Sequence, residues 1–154
     1  MFSGLAGARE PRARPEASAQ TFTCGPDPDT LLDAMFKETL QTVVDGTEGG
    51  LAGLLMDFEG LPLESYSKDD PQFDIEAVGA EVSVVVKAIQ RASEMLEAGD
   101  AREVAFKSAK MVTLIRVINE NYFIALTMVA EGNFGKGRYL LRLAAPKLLE
   151  ELAS

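Results

Sequence analysis

The residues best suited to chemistry in this chain are carboxylates: Asp57, Glu59, Glu64, Asp69, Asp70, Asp74 and Glu76 crowd one stretch. Two acids held across a cleft are what a hydrolase uses, one as acid and one as base or nucleophile. Nearly all of these seven sit at turn signals or helix starts, so solvated loop charge and a helix cap account for them better than a catalytic pair. A second candidate, "GNFGKG" from Gly132, resembles a phosphate-cradling loop but lacks the Gly-Lys-Ser/Thr ending that holds phosphate and magnesium. It reads as a turn into a helix. Histidine is absent and Cys24 is the one cysteine. That excludes His- or Cys-based metal clusters, Cys-His nucleophiles and disulfides within the chain. We therefore expect no catalytic residues, no metal and no cofactor.

With 154 residues, 47% of them hydrophobic, the chain is long enough for one domain with a core, and no repeat or composition break divides it. The formal net charge of -9 argues against nucleic acid as a partner. No run of eighteen apolar residues is present, and "MFSGLAGAREPRARPEASAQ" has neither the apolar centre of a secretory signal nor the acid-free composition of a transit peptide. The expectation is a cytoplasmic protein that does not insert into membranes. Residues 1–27 are rich in Ala, Pro, Arg and Gly without periodicity and read as a disordered extension. The domain is residues 28–154, with Met35 an equally good start, in which case the upstream residues are a start-site artefact.

Which elements must position these residues follows from periodicity. Leu31, Leu32, Met35, Leu40, Val43 and Val44 recur at helical spacing and Gly46 supplies a stop. "LAGLLMDF" and "LPLESYS" flank the Glu59-Gly60 turn signal as a hairpin. After the polar break "SKDDPQF", Asp74 is a good N-cap for a long helix. "AREVAFKSAK", "MVTLIRVI" and "YFIALTMVA" read as a meander whose last two strands are apolar at nearly every position, so helices must cover both sheet faces. A closing helix runs from Asn133 through Leu140, Leu141, Leu143, Leu148, Leu149 and Leu152, with Pro146 tolerated as a kink. The order is αββαβββα: an α/β (α+β) domain of three layers with a five-stranded antiparallel sheet.

The long helix carries more apolar surface than one contact needs. Val78, Val82, Val85, Ile89, Ala92 and Leu96 fall in one angular band, the expected sheet face. Ala77, Val84, Ala88 and Met95 make a second line to one side, with Glu81 between the two as a carboxylate at the interface edge. Because the other helices are needed on the opposite face, the expected cover for the second line is the same helix of another copy. Glu76, Ser83, Lys87, Gln90, Arg91 and Glu94 form an outward polar edge.

The chain resembles the Roadblock/dynein light chain family from about Met35 onward. "GGLAGLLMDFEGLPLESYS" is similar to the family's opening hairpin, a buried strand ending in Asp-x-x-Gly-x-Pro, and in "GNFGKGRYLLRLAAPKLLEEL" Gly135, Arg138, Leu141 and Ala144 sit at matching steps. The likeness is strongest to the bacterial MglB-like branch and its short MglC-type chains. That resemblance implies a homodimer with paired long helices and one continuous sheet, joined along "REVAFKSA" through Glu103, Ala105 and Lys107. It further implies a regulatory partner of a Ras-like small GTPase of MglA type, or of another Roadblock protein, in cell polarity and motility. GTPase activation would come without catalytic residues of the chain's own, and the GTPase would dock on the polar edge of the paired helices. The chain differs from MglB in ending after the last helix, which counts against an exchange role that needs a C-terminal tail. The alternative is a small-ligand sensor of PAS or profilin-like build, for which the later strands offer only Thr113, Arg116 and Thr127 as inward polar groups.

Overall fold

Phe36, Leu40, Val43 and Val44 lie three or four residues apart, and together they form the buried stripe of α1 (Pro28–Gly46). The structure is a computed structural model that describes residues 28–68 and 73–153. The expected disorder of residues 1–27 falls outside the described residues, as do Asp69 and Asp70. Just past α1, the buried Thr47 donates its hydroxyl to the Val43 carbonyl at 2.8 Å, satisfying an acceptor the helix end leaves open.

The hairpin expected around Glu59-Gly60 is present, with β1 (Gly50–Asp57) pairing antiparallel to β2 (Pro62–Ser67). Its turn is organised by Asp57, whose Oδ1 accepts from the backbone N–H of Glu59 at 2.9 Å and of Leu61 at 2.8 Å. Gly60 takes the positive φ of 91° that the turn requires. Asp74 caps α2 (Ile75–Met95), accepting from the N–H groups of Glu76 and Ala77. The meander follows as β3 (Glu103–Lys107), β4 (Met111–Val117) and β5 (Tyr122–Val129), and α3 (Phe134–Ala153) closes the chain. Asn133 caps α3 through the N–H of Lys136 at 3.0 Å, so "GNFGKG" is a turn into a helix.

All strand pairs are antiparallel, in the order β2-β1-β5-β4-β3. The first and last strands thus meet at the sheet centre, which leaves β2 and β3 as its edges. Both faces are buried at β1, β4 and β5. One face carries Leu55, Leu114, Ile124, Leu126 and Met128 against α1 and α3; the other carries Leu54, Met56, Ile115, Phe123 and Ala125 against α2. The fold is the expected α+β three-layer arrangement.

The seat of α2 differs from the helical-wheel expectation. The buried residues are Ile75, Gly79, Val82, Ser83 and Val86, with Val78 and Ile89 half-buried beside them, whereas Val85, Ala92 and Leu96 are exposed. The helix is rolled so that Gly79 lies against β1, where a Cβ would overlap the Leu54 side chain and meet Met56 Cε at 2.8 Å. A wheel weighted by hydrophobicity gives no weight to a glycine or a serine on the contact stripe. Packing of the Leu54 and Met56 side chains directly on the Gly79 backbone decides the roll instead.

Candidate functional site

The roll of α2 enlarges the apolar surface that the domain leaves uncovered. Val85 at 51% exposure and Leu96 at 77% join Val84 at 61% and Met95 at 85%, with Ala88 and Ala92 between them and Ala77 two turns before Val84. The four residues expected on the second line, Ala77, Val84, Ala88 and Met95, are exposed and share one side of the helix with the exposed Glu81. The apolar surface left exposed on α2 is wider than the sequence pattern indicated. Monomeric soluble domains seldom expose contiguous apolar surface of this kind.

The second part of the site is β3, which pairs with no strand on its outer side among the described residues. Val117 donates its N–H to the Arg102 carbonyl at 2.9 Å and Ser108 donates to the Met111 carbonyl at 2.8 Å. Arg102, Val104, Phe106 and Ser108 therefore direct their backbone groups toward β4, and by alternation Glu103, Ala105 and Lys107 direct theirs outward. These are the three residues that the family resemblance assigned to strand pairing. Their side chains point to the α3 face of the sheet. Glu103 accepts from Arg138 Nε at 2.8 Å and lies 3.9 Å from Arg116, while Lys107 Nζ stands 5.0 Å from the Phe134 ring centroid. On the α2 face the strand presents Phe106, 43% exposed.

The expected polar edge of α2 is only partly assembled. Glu76, Lys87, Arg91 and Glu94 are exposed, and Gln90 is half-buried beside Glu94 in a cleft that continues to Arg102 and Arg142. Ser83 does not belong to this edge. It is 3% exposed and donates its hydroxyl to the Ala80 carbonyl at 2.6 Å, because the rolled helix turns it to the sheet. Glu76 accepts from the Ser65 hydroxyl at 3.3 Å, so one member of the edge also ties α2 to β2.

The polar groups that a core ligand would need are already engaged. Thr113 and Thr127 lie side by side across β4 and β5 with their hydroxyl oxygens 3.2 Å apart, buried and paired with each other. Arg116 points to the other sheet face, toward Glu103. Among the described residues no group of three or more His, Cys, Asp or Glu is arranged to hold a metal ion, and no helix is long and apolar enough to cross a membrane.

No protein-family model and no curated protein matches the chain. Among solved structures it is similar to a Roadblock/LC7 domain from Streptomyces avermitilis, with 14% identity, TM-score 0.70 and coverage of 77% of this chain and 98% of that one. It is also similar to the gliding protein MglB from Thermus thermophilus, with 17% identity, TM-score 0.71 and coverage of 82% and 93%. Those two likenesses show the fold. A closer likeness is to MglC from Myxococcus xanthus, 37% identical over 75% of this chain and 98% of that chain, with TM-score 0.56. The chain belongs to the Roadblock/LC7 family. Within this Roadblock domain the signals that were not legible in the sequence are Val85, Ala92 and Leu96, hidden by the assumption that they faced the sheet. The spacing of Gly79 from Val82, Ser83 and Val86, which together mark a close-packed stripe, is the pattern that would have revealed them.

Proposed function

We propose that this Roadblock domain works as a homodimer and as a non-enzymatic regulator or adaptor in a Ras-like small GTPase system of bacterial cell polarity and motility. It acts there by binding the GTPase or a fellow Roadblock protein. The observation that carries the reading is the open apolar side of α2 with Val84, Val85, Met95 and Leu96 exposed, beside a β3 backbone edge that is unpaired among the described residues. Two copies related by a twofold axis cover the first surface and complete the second in a single interface. Each valine so covered contributes about 1.5 kcal/mol or more. The likeness to MglC at 37% identity supports the GTPase and motility assignment, as does the fold shared with the gliding protein MglB. The exposed charges Glu76, Lys87, Arg91 and Glu94 flank the apolar side, and mixed charge of this kind sets orientation and encounter rate in a reversible contact.

The test is a solution mass of the full chain by light scattering or sedimentation, joined to titration with a purified MglA-type GTPase in both nucleotide states and with a purified MglB-type protein. A dimer that binds at least one of them is the expected result. A monomer, or a dimer that binds none of them, would refute the reading.

A further inference from the structure

The face of the domain opposite α2 carries a groove that the Roadblock reading leaves unused. Helices α1 and α3 pack antiparallel on the sheet, with Gly46 against Leu140 at one end. Between them runs a surface groove of about 420 Å³. Its floor is Val43, Leu140, Ala144 and Leu148, with Met35 at 40% and Leu143 at 49% exposure open to solvent. Thr39 and Thr42 also line it, but their hydroxyls donate to the carbonyls of Met35 and Glu38 on their own helix at 3.0 and 2.9 Å and ask nothing of an occupant. The charged residues lining it are Glu38, Glu150 and Glu151 against a single Lys147.

We infer that this groove receives a short amphipathic helix of a protein partner, with an apolar stripe flanked by lysine or arginine. The lining residues repeat three or four apart on both walls, from Met35 to Val43 and from Leu140 to Glu151. That is the spacing a third helix needs to lay its own apolar residues between theirs. At 1.5 Å per residue the longer wall spans about 16 Å, or three turns of occupant. Charge selects its chemistry. An acidic rim on a chain of net charge -9 favours a basic segment and disfavours an anionic membrane surface as the occupant.

The probe is a fluorescein-labelled synthetic peptide with leucine on one helical face and lysine on the other, beside a counterpart carrying glutamate in place of lysine, each titrated into the full chain by polarisation. Only the lysine peptide should bind. The variant Met35→Glu with Leu143→Glu alters two exposed positions and adds negative charge, so diffuse electrostatic attraction would rise while seating in the groove is lost. The expected result is a loss of affinity of roughly tenfold or more. Unchanged or tighter binding by that variant shows mere charge attraction and overturns the inference. So does equal binding of the two peptides, or binding that occurs only after residues 1–27 are removed, which would make the chain's own segment the occupant. The Lys87→Glu, Arg91→Glu variant should bind the probe as the parent does, which separates this face from the α2 surface.

Discussion

Gly79 on α2 lies directly against Leu54 on β1, so close that a methyl group on the glycine would overlap the leucine side chain. This contact sets the roll of the helix and decides which of its valines reach solvent. Gly79→Ala gains helix propensity but forces α2 off the sheet, and overpacking of this kind costs about 1–3 kcal/mol. Urea unfolding should show a lower midpoint with an unchanged slope. A midpoint equal to or above that of the parent would mean that the helix is seated more loosely than this contact requires.

Val84 is 61% exposed, so Val84→Glu disturbs nothing inside the domain. In the proposed dimer it places carboxylates against the apolar side of a neighbouring helix, where an unpaired charge is strongly unfavourable. The variant should elute as a folded monomer with parental circular dichroism. A variant of dimer mass would move the interface away from this side of α2.

Lys87 and Arg91 are exposed and lie one turn apart on the polar side of α2. Reversing both to glutamate should leave the solution mass unchanged and weaken binding to a Ras-like GTPase or Roadblock partner, most strongly at low salt where charge steering is least screened. If titrations at low and moderate salt both match the parent, docking lies elsewhere.

Glu97 closes α2 with a positive φ of 54°, and the N–H groups of Glu97 and Ala98 return to the carbonyls of Glu94 and Ser93. This is the Schellman ending, with glutamate where glycine is the favoured residue. Glu97→Gly should raise stability by about 0.5–1 kcal/mol, since relief of left-handed strain outweighs the added chain entropy. Thermal melts of the two proteins at equal concentration check it; a lower melting temperature would count against the strain.

Element order was legible because each element has its own period. The valines of "VSVVVKAI" resolve as helix once the window extends to Leu96, and the meander strands declare themselves by unbroken apolar runs. The caps Asp74 and Asn133 were readable as a cap and a turn entry for the same local reason. The roll of α2 was not legible, because it is set by a tertiary contact at a residue with no side chain. Ser83 was misplaced with it: a hydroxyl satisfied by its own helix is as buriable as an alanine. The α1/α3 groove was equally out of reach, since Met35 and Leu143 belong to apolar patterns that fit core positions until the two helices are placed side by side.

The exposed edge of β3 separates adhesion from identity. Glu103 and Lys107 fasten their side chains beneath the sheet to Arg138 and Phe134, four residues apart on α3, and only amide and carbonyl groups face outward along that edge. Main-chain hydrogen bonds carry no side-chain code and join any strand of compatible length and direction. In the proposed dimer, choice between a second copy and a paralogous chain would therefore rest on the surfaces flanking the edge, Phe106 above it and the valine-rich side of α2, where a change of shape or charge discriminates between mates. A cell holding several Roadblock chains would sort its pairs by helix surface, with the strand serving all of them alike.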